Sequence, residues 1–98
     1  MPAKESNQGW DLFLTLCSKI KSREEWEKIC SLFFTHEERE TLASRTLIIK
    51  ELLAKTKTQR EISQTCDVSI AQITRGSNAL KGIEPTLQNR LEKILLQD

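Results

Sequence analysis

Gln59-Arg-Glu-Ile-Ser-Gln-Thr-Cys-Asp-Val-Ser-Ile-Ala-Gln-Ile-Thr-Arg-Gly-Ser-Asn-Ala-Leu80 is the stretch that decides the fold. Its apolar anchors are Ile62, Cys66, Val68, Ile73 and Leu80. The first two share one face of a short helix and the last two one face of a second, with Val68 plugging the turn between them. Small Ser63 and Ala71 permit the helices to approach closely, so the pair crosses steeply over one small core and leaves a face of the second helix free. Both helices have a start signal, a hydroxyl residue followed three places later by Glu or Gln: Thr58 with Glu61, and Ser69 with Gln72. Asp67 stands in the turn where glycine is usual; it tolerates turn geometry and brings a negative charge.

The free face carries Ile70, Ala71 and Gln72 at its amino end, then Thr74, Arg75, Asn78 and Lys81. A helix that enters the major groove presents small side chains first, so that its backbone can approach the base edges. Ser69 as cap leaves amides at the helix amino end that can hold a phosphate, and Gln59 and Arg60 can reach a guanine edge or a phosphate. Between Lys55 and Lys81 the cations Lys55, Lys57, Arg60, Arg75 and Lys81 face only Glu61 and Asp67, a local surplus in a chain whose net charge is +1. The plainer reading of the same residues is an αα-corner inside a helical bundle, with Arg60 and Lys81 merely solvated.

Outward from this segment, apolar residues recur at three and four throughout. Trp10, Phe13, Leu14, Cys17 and Ile20 make one stripe; Trp26, Ile29, Cys30 and Phe33 a second. Leu42, Leu47, Ile48, Leu52 and Leu53 fall in a longer segment, and Leu87, Leu91, Ile94 and Leu95 in a last one. Ser22 with Glu25 and Thr35 with Glu38 repeat the cap spacing, Gly82 suits a helix end and Pro85 a first turn. The expectation is an all-α chain of six helices, about 8–21, 23–33, 36–55, 59–65, 70–81 and 85–96. Ninety-eight residues leave room for a single domain, residues 1–98, and its modest core makes oligomerisation a natural supplement.

The 38% hydrophobic and 30% charged content is ordinary for a globular chain, and no apolar run approaches the ~20 residues of a membrane span. The opening MPAKESNQGWDLF lacks the pattern of a secretory signal, so a cytoplasmic protein is expected. Cys17, Cys30 and Cys66 form no CxxC pair and His36 is the only histidine, which argues against a zinc site and for core or half-buried thiols. No third group orients a nucleophile and base, and three glycines leave little for a phosphate cradle; an enzyme is not expected.

At ITRGSNALK, residues 73–81, the sequence resembles the recognition helix of the tryptophan repressor family, and Leu32 to Leu53, LFFTHEERETLASRTLIIKELL, resembles the same family upstream. The likeness runs from about residue 10 to the end. It implies an intertwined homodimer in which the first, second, third and last helices of both chains (about 8–55 and 85–96) share one core. It also implies operator DNA and L-tryptophan, as corepressor, for partners, with no other cofactor and no metal. In the family the indole lies between two arginines, here Arg45 and Arg75; a guanidinium stacks on an aromatic face and binds a carboxylate in fork geometry. The ligand ammonium meets carbonyls at the end of the second helix, matching Leu32 and Phe34, with Thr35 alongside and Gly76 leaving room beside the ring. Two positions depart from the family: Ala79 replaces a serine hydroxyl, a bond worth about 1 kcal/mol or roughly fivefold in affinity, and Phe34 stands where leucine is common.

Two rivals have their own signatures. An effector-independent helix-turn-helix module, of transposase or replication-initiator type, would not need Arg45. A helical interaction protein would use Trp10, Phe13 and Ile20 to bind a partner helix.

Overall fold

The computed structural model describes residues 2–97. Among them six helices and no strand occur: α1 (Pro2–Lys19), α2 (Arg23–Phe33), α3 (His36–Ala54), α4 (Gln59–Cys66), α5 (Ile70–Lys81) and α6 (Pro85–Leu95). The largest departure from expectation is α1, which begins six residues earlier than the apolar stripe suggests. A polar first turn has no apolar periodicity to read, and Pro2 has the fixed φ that suits a first helical position. The other boundaries shift by two residues at most.

The helices form where their caps dictate. Thr58 Oγ1 accepts from Glu61 N at 3.2 Å while Glu61 Oε1 accepts from Thr58 N at 2.9 Å. Ser69 and Gln72 repeat the exchange at 3.2 and 3.0 Å. At α2 only the forward half is present, Glu25 N donating to Ser22 Oγ at 3.1 Å. Pro85 opens α6 behind Glu84, which makes no side-chain cap bond. Gly82 closes α5 in ordinary right-handed backbone, so the freedom of glycine is not what the position uses.

The chain divides into two compact units, residues 1–35 and 36–98. In the first, Phe13 of α1 is the aromatic hub. It stacks on Trp10 with centroids 5.7 Å apart and meets the rings of Phe33 and Phe34 edge-on at 5.6 and 6.2 Å. No residue of α2 is buried.

In the second unit α3 packs on α4, α5 and α6, and α4 on α5. The core is three isoleucines, Ile48 of α3, Ile62 of α4 and Ile73 of α5, at most 2% exposed, with Leu52, Cys66 and Val68 packed against them. Each side chain so buried stabilises by roughly 1.5–3 kcal/mol. Leu53 is also buried, and Leu80 is half-buried. Asp67 holds the turn between α4 and α5 in left-handed backbone, φ 54° and ψ 51°, and its N–H and that of Val68 both donate to Ser63 O. Ser63 contributes more than small size, since its hydroxyl donates to Val68 O at 2.5 Å and ties α4 to the turn. Ala71, also expected to ease helix approach, is exposed.

No helix among the described residues is long and apolar enough to cross a membrane.

Candidate functional site

Three stripes on α5 follow from a repeat of three and four residues on a helix of 3.6 per turn. Ile73, Gly76 and Leu80 face the core or α3. Ala71, Thr74, Asn78 and Lys81 face outward and are all exposed. Gln72, Arg75 and Ala79 lie between these two and form one wall of a groove.

The other wall of that groove is α3. Thr41, Arg45, Ile48 and Ile49 line it, again one helical stripe, and the enclosed volume is about 330 Å³. That size falls at the small end of the roughly 300–1,000 Å³ typical of small-molecule sites. Arg45 and Arg75, thirty positions apart in sequence, thus border the same cavity from opposite helices. Neither forms an ion pair among the described residues, and no carboxylate lines the cavity. Two unpaired guanidiniums over an apolar floor of isoleucines suit a flat, anionic molecule.

Gly76 reaches the groove too, but its missing side chain serves the helix contact. A Cβ there would lie 3.1 Å from Ile48 Cγ2 and 3.5 Å from Leu52 Cδ1. Glycine at this position therefore lets α5 lie close on α3, and the same residue lines the groove. Ala79 lines the cavity without a hydroxyl. Thr41, Ile48 and Ile49 were missed as groove residues; their spacing from Arg45, four before and three and four after, was the signal available. Gln72, read from sequence as part of the DNA-facing set, borders the cavity while capping α5.

Leu32, Phe34 and Thr35 belong to the first unit. Phe34 is the extended C-cap of α2, its N–H donating to Cys30 O at 2.9 Å, and Leu32 is 80% exposed. Carbonyls in such a last turn have no intrahelical donor.

The remaining outward residues lie at the starts of the two short helices. Gln59 and Arg60 open α4, Ser69 caps α5, and Ile70 follows, 47% exposed. The charge surplus is smaller than the bare count. Lys57 bonds the Glu51 carboxylate, which raises its pKa above the ordinary value and offsets its charge. Lys55, Arg60, Arg75 and Lys81 remain exposed and without ion pairs among the described residues.

A short helix pair whose second member turns its polar side outward is the arrangement of the helix-turn-helix transcription regulators. Residues 8–95 match the family model described as Trp repressor protein, and the chain belongs to that family. It is 56% identical over 93 residues to the Trp operon repressor homolog of Chlamydia caviae, covering 94% of this chain and 92% of that one. It is 49% identical over 89 residues to the homolog of Chlamydia trachomatis serovar D (91% and 95%), and 36% identical over 96 residues to that of Vibrio cholerae (98% and 93%). The family is one of transcriptional repressors rather than enzymes.

Proposed function

We propose that the chain is a tryptophan-dependent repressor that grips operator DNA through α4 and α5, with L-tryptophan in the groove between α3 and α5. The observation that carries this reading is the shared cavity of Arg45 and Arg75, of ligand size and bordered by the helix that faces outward. The indole would lie between the two guanidiniums. The ligand's carboxylate would take one of them in fork geometry; for its ammonium the family resemblance points to carbonyls matching Leu32 and Phe34, with Thr35 alongside. Phosphate contacts from Thr74, Lys81, Gln72 and the Ser69-capped helix end supply affinity, while Arg60, Ile70 and Ala71 come closest to the bases, with Gln59 and Asn78 beside them. The ligand acts only through its differential affinity for the arrangement in which two heads fit successive major grooves, about 34 Å apart.

Two heads require two chains. A homodimer is supported by the apolar surface left open on the single chain: Trp10 is 60% exposed, Leu12 66%, Leu32 80% and Ile94 59%. Isolated exposed apolar residues are normal, but this many on the helices flanking the reading head calls for a partner. Operator duplexes selected from a random pool in saturating L-tryptophan supply the test. Filter binding should then show tighter association with L-tryptophan than without, and Arg45→Ala should remove that difference while sparing ligand-free binding. Equal affinity in both conditions would end the corepressor reading and leave an effector-independent module.

A further inference from the structure

Gln72 stands at two sites at once. Its Oε1 accepts from Ser69 N at 3.0 Å and lies 3.3 Å from Ser69 Oγ, so the carbonyl end of the amide is committed to the start of α5. The same side chain borders the cavity of Arg45 and Arg75. The amide's other end, Nε2, has no partner among the described residues and can only donate.

We infer that Gln72 is a specificity-determining and positioning residue of the groove. Its Nε2 donates to a carboxylate of the occupant while its Oε1 holds the cap of the outward-facing helix. The surroundings favour an anionic acceptor. Arg75 is one turn further along α5, Arg45 lies across the groove, and the amino end of α5 adds partial positive charge. A carboxylate held by Nε2 fixes the amide plane, and the fixed plane holds Oε1 on Ser69. Occupancy of the groove thereby steadies the first turn of α5, which carries Ile70 and Ala71. By linkage, ordering of that turn tightens the occupant to the same degree.

This inference rests on the reading of the groove as an indole amino-acid site. Gln72→Glu separates the two functions, because glutamate keeps the oxygen that caps Ser69 and replaces the donor with a second acceptor. Calorimetry on the full chain, free of DNA, would compare L-tryptophan, indole-3-propionate and tryptamine, of which only the last lacks a carboxylate. In Gln72→Glu the two carboxylate ligands should weaken by about tenfold or more, the scale of a lost hydrogen bond to a charged group, with tryptamine unchanged or tighter. The melting temperature should stay at the wild-type value, whereas Gln72→Ala should lower it by loss of the cap. If Gln72→Glu bound all three ligands as the wild type does, or weakened all three alike, the inference would fall and the tryptophan reading would stand. If the wild-type chain bound none of the three, the reading itself would fall, and the inference with it.

Discussion

Gly76 and Ile48 set how closely the outward-facing helix lies against α3: a β-carbon at position 76 would come within 3.1 Å of Ile48 Cγ2. Ile48 is 2% exposed and walled in by Ile62 and Ile73, so it has little room to give. Gly76→Ala gains about 1 kcal/mol of helix propensity but loses about 1–3 kcal/mol to overpacking. The expected net is a fall of several degrees in the melting temperature. In an Ile48→Leu background, which lacks a Cγ2, the same substitution should cost less. A cycle of four melting curves measures that coupling, and strict additivity would count against the contact.

Ser69 caps α5 and takes part in a reciprocal pair of bonds with Gln72. Ser69→Ala should destabilise by about 1 kcal/mol. It should also weaken DNA binding beyond what the lost fold accounts for, because the proposed function puts the frayed turn nearest the bases. Thr58→Ala removes the equivalent cap from α4. Denaturation midpoints should fall similarly in the two variants, with the larger loss of DNA affinity in Ser69→Ala.

Asp67 combines left-handed backbone with a negative charge at the turn between the two short helices. Asn adopts that backbone as readily and has no charge, so Asp67→Asn should leave stability within about 0.5 kcal/mol of wild type. DNA binding should tighten at low salt, and the gain should vanish as salt screens the removed repulsion. Asp67→Val should instead destabilise by more than 1 kcal/mol, because a β-branched residue resists positive φ. Titrations at two salt concentrations, with melting curves beside them, check all three outcomes.

Glu61 sets a pH dependence whose sign is fixed. Its bonds from Thr58 N–H, and then from the Thr58 hydroxyl, hold its carboxyl below the ordinary glutamate value of 4.5. A group with a lowered native pKa contributes stability above its unfolded value and loses it as the pH falls through the native one. Glu61→Gln should therefore melt below wild type at neutral pH, and the gap should close well below pH 4.5. Lys57 behaves oppositely. The Glu51 carboxylate raises its pKa above 10.5, so its contribution is present below that value and disappears in strong alkali.

Much of this could be read from the sequence, for identifiable reasons. Six helices were legible because caps and apolar spacing act locally, and the turn at Asp67 because few residues accept its backbone. The core of the reading head was legible in part. Ile62 and Ile73 stood out as anchors, but Ile48, which completes the core, comes from a helix apolar on several sides. On such a helix periodicity does not single out one face. The groove was half visible. Arg45 and Arg75 came from family likeness, whereas Thr41, Ile49 and the second role of Gln72 depend on how α3 and α5 lie together. Lys57 was counted as a free cation because its partner, Glu51, lies outside the short helix pair.

A core of three isoleucines has a mechanical side. Each is β-branched and, on a helix, held almost entirely to one rotamer, so the interior of the reading head has few alternative packings to slide between. Such a head does not flex like a leaf spring. Under the proposed function, a change in how α4 and α5 meet a duplex would therefore come from the segments that join these helices to their neighbours rather than from inside the core.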